Sequence, residues 1–457
     1  MRPMDPVVRQ RIVIVGAGFG GFYAALELDR GLARDPDVEV LLIDPQNFLL
    51  FTPMLHEVAA GALDPASIVV PIRESLKRVQ FLRAETIAMN LDARTVTVAY
   101  GVERRRRTIP FDHLLLAAGS QTRFPPALRA HVHGMKTIHD ARLLRSWLIG
   151  SLERAELEED PARRRAFLTI AVAGGGFSGV ETIGAINDLL HEVAPHYRNA
   201  CAKRPTLLLV EPMGRLLPDF DPALGEYAAA KLRAANIDVR LRTRVEAFDG
   251  RTLVLRPSND GEEPVTIAAR TLVWTAGVSP ASLIESLPLA KEQGRIVVDA
   301  TMAVPGQPGV WACGDCAAVP GRSGRTCPPT AQHAVRQGTH VARNIAAAVR
   351  GQPDRIRPYR FEMLGQLAAI GRRRAVAMVF GVRFSGFLAW LVWRGAYLLK
   401  LPSPKRKARV LLQWLLDVCF ARDTVQLLSA ESSGARRMEE LIDSARAAEA
   451  AHEAQAS

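Results

Sequence analysis

The stretch Arg11 to Gly21 reads RIVIVGAGFGG. Five residues of strand-like character run directly into a glycine turn, and a helical pattern follows from Phe22 to Leu32. A second apolar run, Val38 to Ile43, then ends in Asp44. Strand, glycine loop, helix and strand in that order make one βαβ unit. Gly16, Gly18 and Gly21 satisfy G-x-G-x-x-G, with Gly20 beside them. In such a loop the first glycine makes the tight turn, the second lets the backbone approach a pyrophosphate, and the third lets helix and sheet pack closely. The helix N-terminus adds a partial positive charge, and an acid about 20 residues on accepts hydrogen bonds from ribose hydroxyls. Asp44 stands where that acid belongs, so the segment predicts a dinucleotide-binding α/β domain.

Working outward, the same layout recurs. Leu168 to Ala173 leads into GGGFSG, a helix is expected from Val180 to about Val193, and the strand Thr206 to Val210 ends in Glu211. Gly174, Gly176 and Gly179 repeat the spacing, with Glu181 just inside the helix. A carboxylate at Glu211 repels a 2′-phosphate and so favours NADH over NADPH. Glu211 lies about 30 residues after the glycines, rather than about 20, which requires a longer helix and loop. Arg215 is near enough in sequence to soften the discrimination. The strand Leu114 to Ala117 ends in Ala118-Gly119, and Thr271 to Trp274 leads into Ala276-Gly277 in the same way. Thr95 to Tyr100 alternates like a hairpin strand, and a final strand, Val310 to Ala312, precedes Gly314-Asp315. The expected fold is therefore α/β, with two Rossmann-like three-layer domains, the second inserted in the first. Expected bounds are 1–125 with 295–360, then 126–294, a C-terminal membrane-associating or dimer region at 361–430, and a flexible tail at 431–457.

Composition sets wide limits. A chain of 457 residues with 48% hydrophobic and 23% charged residues is that of an ordinary folded protein of two or three domains. The net charge of +12 favours anionic partners, either nucleic acid or the anionic face of a bilayer. No zinc-finger, RNP or basic-zipper pattern supports nucleic acid. The clusters Arg104–Arg107, Arg163–Arg165, Arg372–Arg374 and Lys405–Arg409 read first as solvated loops. Five cysteines with no apolar leader segment argue against a disulfide scaffold. No apolar run reaches the ~18–20 residues of a membrane span, so the cytoplasm or the cytoplasmic face of a membrane is expected.

Cys313-Gly314-Asp315 places an acid at a strand end, as FAD-binding chains do for the ribityl or phosphate region, and assigns the first fingerprint to FAD. Cys313 and Cys316 also spell CxxC, but no second pair or His pair completes a zinc set, and inert cysteines are the simpler reading. Pro328-Pro329 announces a helix from about Thr330, whose positive end would favour an anionic reduced ring. For Glu181 two readings stay open: a first-turn acid complementing the helix dipole, or a group at the nicotinamide end that relays protons.

The ordered segments GAGFGG, NFLLFTPMLHEVAAG, LLLAAGS, GGGFSGVE, LVWTAGV, ACGDCA, PPTAQHAVRQG and LGQLAAIGRRRAVA, followed by an AW-x-x-WR-x-x-YL segment, resemble the type II NADH:quinone oxidoreductases. These are single-subunit flavoproteins of respiratory membranes. The resemblance runs to about Asp423 and implies bound FAD, NADH oxidation and two-electron reduction of a membrane quinone without ion pumping. It implies FAD contacts at Gly16, Gly18, Gly20, Gly21, Asp44, Ala118, Gly119, Gly314, Asp315 and Ala331, and NADH contacts at Gly174, Gly176, Gly179, Glu181, Glu211, Ala276 and Gly277. Gln332 matches the first quinone-site glutamine. The second position holds Arg336, with Gln337 one place later, a departure that bears on quinone affinity or type. Peripheral membrane association and a homodimer are implied as well. The aromatic and apolar residues from Phe384 to Leu398, the basic loop Lys405-Arg406-Lys407 and the helical repeat Val410, Leu411, Trp414, Leu415 and Val418 suit a helix pair in a bilayer interface, or a dimer or domain interface. The rival readings are a sulfide:quinone oxidoreductase or another enzyme on the flavin disulfide-reductase scaffold, and an NADH-responsive membrane-bound sensor. The first needs flavin-flanking cysteines, and none precedes Cys201.

Overall fold

Apolar runs buried on both faces form two parallel sheets, one in each of two units. The structure is a computed structural model and describes residues 10–258, 262–321 and 324–426. The first unit comprises the described residues of Met1–Leu50, Val69–Gln121 and Val278–Met363; the second those of Phe51–Ile68, Thr122–Gly277 and Leu364–Ser457. The expected tail at 431–457 lies outside the described residues.

In the first unit the strand Gln10–Val15 pairs in parallel with Val38–Asp44 on one side and His113–Leu116 on the other. Val310–Ala312 and Gln80–Arg83 complete a five-stranded sheet. Ile12, Val13 and Ile14 have no exposed surface, which is why the run carries no polar alternation. The helix Phe19–Arg30 covers the sheet and packs against the helix Ala331–Val349, Gly338 lying against Gly20. A three-stranded antiparallel sheet, Glu85–Asn90, Thr95–Tyr100 and Arg105–Pro110, carries the exposed Arg105–Arg107.

The second unit repeats the arrangement with four parallel strands in the order Ile237–Leu241, Thr206–Glu211, Thr169–Ala173, Thr271–Trp274. The helix Phe177–Val193 runs over it. The C-terminal segment is an antiparallel sheet of Gly365–Gly371, Arg374–Val379 and Val382–Ser385, followed by the helices Gly386–Lys400 and Pro404–Cys419. Its first strand lies so close to the helix Phe177–Val193 that a Cβ at Gly184 would stand 2.6 Å from the Ile370 carbonyl oxygen. The expected basic loop at Lys405–Lys407 is instead the first turn of a helix that starts at Pro404, where a proline's missing N–H costs nothing. Among the described residues, no helix is long and apolar enough to cross a membrane.

Candidate active site

The first cradle is built by its glycines. Gly16 takes φ +99°, and a Cβ there would stand 2.3 Å from the Ala117 carbonyl oxygen, while one on Gly21 would stand 1.8 Å from the Gly16 oxygen. A side chain at either position breaks the turn. At Gly18 a Cβ would meet nothing within 4 Å, so the loop presents bare backbone to open space at a helix N-terminus. That is the space a pyrophosphate needs. Asp44 closes the loop: its carboxylate accepts from the Ala17 N–H at 2.6 Å and the Gln46 N–H at 2.7 Å. Burial holds its pKa above the ordinary carboxylate value, and the two backbone donors offset only part of that rise. Facing residues belong to the same unit. Ala118 precedes Gly119, which has φ +68°. Gly314 (φ +75°) donates its N–H to Gln337 Oε1 at 2.8 Å, and Ser120 Oγ donates to Asp315 Oδ2 at 2.6 Å. The donor set fits a dinucleotide with a second, ribityl-like polar stretch.

Cys313 and Cys316 are buried free thiols, and burial pushes Cys316 up to about 11. Its thiol donates to the carbonyls of Leu116 and Cys313. A thiol held protonated in this way is a poor nucleophile.

The second cradle repeats the first. Gly174 has φ +110°, a Cβ on Gly179 would stand 1.7 Å from the Gly174 oxygen, and Gly176 faces open space. Glu211 is drawn under the loop, its carboxylate accepting from the N–H groups of Gly175 and Met213. The longer sequence spacing is therefore taken up without moving the acid away. Gly277 (φ +72°) follows Ala276 and accepts from the Arg123 N–H at 3.2 Å. Arg215 turns to the Pro218 carbonyl.

Glu181 departs from one of its two expected readings. The helix starts at Phe177, so Glu181 lies beyond the first turn and is no dipole cap. Its carboxyl is buried in the second unit, where Oε1 accepts from Trp393 Nε1 at 3.1 Å and from the Ala369 N–H at 3.2 Å. His56 Nδ1 stands 3.6 Å from Oε2. This is not an ion pair. Burial, reinforced by the Arg422 charge, lowers His56 to about 3, and burial raises Glu181 to about 8. At neutral pH the site holds a neutral imidazole and a protonated acid.

Around them lies a cluster that motif reading missed. Glu57 accepts from Trp414 Nε1 at 2.9 Å and is raised by burial to about 7. Arg394 is sandwiched between the rings of Trp390 (4.1 Å) and Trp414 (4.5 Å). Arg422 bridges Asp417 at 2.9 Å and Glu192 at 3.5 Å. A cavity of about 60 Å³ is lined by Glu181, Asp188 and Arg394, and a water needs only ~10–15 Å³ of such space. The signal was present in the sequence: His56-Glu57 interrupts an otherwise apolar stretch, Met54 to Ala60, and a charge in such a run is either surface or function. Trp393 and Trp414, expected among the interface residues, face inward instead, whereas Leu411, Leu412, Leu415 and Leu416 are exposed.

Gln332 is the second residue of the helix Ala331–Val349, which Thr330 caps through the His333 N–H. Arg336 stacks its guanidinium 4.1 Å over the Phe361 ring. Gln337 is buried and accepts from the Gly314 N–H.

The pyridine nucleotide-disulphide oxidoreductase family pattern matches residues 10–338, and the NDH2 C-terminal domain pattern matches 363–423. A type II NADH:quinone oxidoreductase of Mycobacterium tuberculosis is 33% identical over 455 residues, covering 96% of this chain and 95% of that protein. This chain belongs to the type II NADH:quinone oxidoreductase family. Among other members of broadly similar sequence, the demethylphylloquinone reductase of Synechocystis is 32% identical, covering 89% of this chain and 96% of that one. The solved structure of NDH2 from Plasmodium falciparum in complex with NADH superimposes with a TM-score of 0.84 at 20% identity, over 91% of this chain and all of that one, and shows the shared fold. For this type II oxidoreductase the paired cradles are thus a property of the family fold.

Proposed function

We propose that the first cradle holds FAD and the second NADH, and that the enzyme oxidises NADH and delivers the electron pair to a membrane quinone without pumping ions. The pair of cradles, each closed by an acid at its second strand, carries this reading. FAD, when bound, supplies the two-electron redox centre. Gly16, Gly18, Gly20 and Gly21 receive its pyrophosphate, Asp44 its ribose, and Ala118, Gly119, Gly314, Asp315 and Ala331 the remainder. Gly174, Gly176, Gly179, Ala276 and Gly277 receive NADH, and Glu211 orders its ribose and excludes a 2′-phosphate. Gln332 and Arg336 receive the quinone. NADH and quinone become NAD⁺ and quinol only with one further proton from water, and Glu181, held protonated at neutral pH, is placed in that supply.

Membrane contact is assigned to the exposed leucines of the helix Pro404–Cys419, beside Lys405, Arg406, Lys407 and Arg409. Anaerobic stopped-flow tests the reading. NADH should bleach the flavin faster than NADPH, and a quinone analogue should restore it. Reduction by sulfide with indifference to NADH, or a reduced flavin that quinone leaves untouched, would sink it.

A further inference from the structure

Within the second unit a groove of about 940 Å³ opens between the end of the helix Phe177–Val193, the segment to Pro205, the end of the helix Pro222–Ala234 and the turn Gly371–Arg374. It lies where the strands Thr206–Glu211 and Ile237–Leu241 begin, whereas the NADH cradle lies where Thr169–Ala173 and Thr206–Glu211 end. The NADH cradle therefore does not account for this groove, which shares Asp188, Gly371, Arg372 and Arg373 with the cavity beside Glu181.

Five cations line it: Arg204, Lys231, Arg372, Arg373 and Arg374. Two have local reasons to be there. Arg372 pairs with Glu192 at 3.3 Å, and Lys231 sits in the last turn of its helix with its ammonium 5.2 Å from the Tyr227 ring. Arg204, Arg373 and Arg374 have no carboxylate partner among the described residues. The one acid in the lining is Asp188, which is half-buried and raised to about 6. Three unneutralised guanidiniums around one concavity are arranged as a phosphate site is.

The groove also exceeds what one free phosphate would fill. Its rim includes Phe387, which begins the exposed apolar row Phe387, Leu388, Leu391 on the helix Gly386–Lys400. Cations that continue into an exposed apolar row match an amphiphile, a phosphate head joined to acyl chains.

We propose that this groove binds the phosphate headgroup of an anionic phospholipid, with the acyl chains lying along the Phe387–Leu391 row. The proposal rests on the membrane contact of the preceding section and adds to it a defined lipid class and a site away from the helix Pro404–Cys419.

The test is co-sedimentation of the full-length, flavin-loaded protein with vesicles of phosphatidylcholine alone or with one-third phosphatidylglycerol. Wild type should prefer the anionic vesicles. Arg204→Ala/Arg374→Ala should weaken that binding ~25-fold, at about fivefold per cation near an anionic surface. Arg106→Ala/Arg107→Ala, an equal charge loss on an exposed strand of the first unit, should change it little. Unaltered melting and flavin content would establish that the variants fold. Equal losses in both variants would mean diffuse attraction and overturn the proposal. So would calorimetric binding of inorganic phosphate, lost in the groove variant, without a vesicle preference, or a change of oligomeric state on mutating the groove. Binding to both vesicle types that the groove variant does not alter would overturn the groove alone. Absence of binding to either would overturn the membrane reading as well.

Discussion

Replacing Glu181 with Gln removes a buried acid while keeping an oxygen to accept from Trp393 Nε1 and the Ala369 N–H. In the folded chain the Glu181 carboxyl is raised from 4.5 to about 8, chiefly by burial. Between those values the unfolded chain has released this proton and the folded chain still holds it. The unfolded state then binds fewer protons, so stability falls as pH rises through the window and levels off above about 8. At ~1.4 kcal/mol per pH unit, the cost at pH 8 is of order 3–5 kcal/mol. Glu57 and Asp188 act in the same direction, and His56, lowered to about 3, acts in the opposite direction below its ordinary value. All three remain in the variant, so the difference between the two proteins isolates Glu181. The assay is thermal melting of wild type and Glu181→Gln at matched pH from 5 to 9. The variant should gain on wild type as pH rises, reaching roughly 10 °C near pH 8 for a unit of this size. A constant separation across that range would refute a protonated Glu181, and with it the proton-supply role.

Other perturbations read the two cradles and the quinone end. Asp44→Ala leaves the Ala17 and Gln46 N–H groups without their acceptor. It should weaken flavin binding by about 2–3 kcal/mol, seen as substoichiometric flavin absorbance after gel filtration. Glu211→Ala should raise the KM for NADH and narrow the NADH-to-NADPH ratio of kcat/KM by about tenfold; an unchanged ratio would place discrimination elsewhere. Arg336→Ala removes the stack on Phe361 and should shift the quinone KM by about two- to fivefold, leaving the NADH KM in place.

The two fingerprints were legible because each glycine is dictated by something local. Gly16 must turn where Ala117 crowds it, and Gly21 must pass the Gly16 carbonyl, so the letters themselves carry the geometry. The same holds for Asp44, which the following strand places under the loop. The acid cluster was not legible, because its members gain their chemistry from tertiary neighbours. Glu181 reads as a helix-start acid until the helix is seen to begin at Phe177 and Trp393 to close over it. Trp414 reads as one more residue of an apolar repeat, yet its indole is committed to Glu57. Helical periodicity gives the spacing of a face but not which face is inside. Leu411, Leu412, Leu415 and Leu416, on either side of Trp414, are the exposed ones.

The chain order of that cluster has a consequence for synthesis. His56 and Glu57 emerge from the ribosome before Glu181, and Trp393, Trp414 and Arg422 only well after it. Nascent chains fold from the N-terminus, so Glu181 is made 212 residues ahead of its indole donor and Glu57 357 residues ahead of its own. In water both are ordinary ionised carboxylates. Glu181 takes up its proton only when the last helices dock, which makes closure of the second unit a late, proton-consuming event that a chain ending before residue 393 cannot complete.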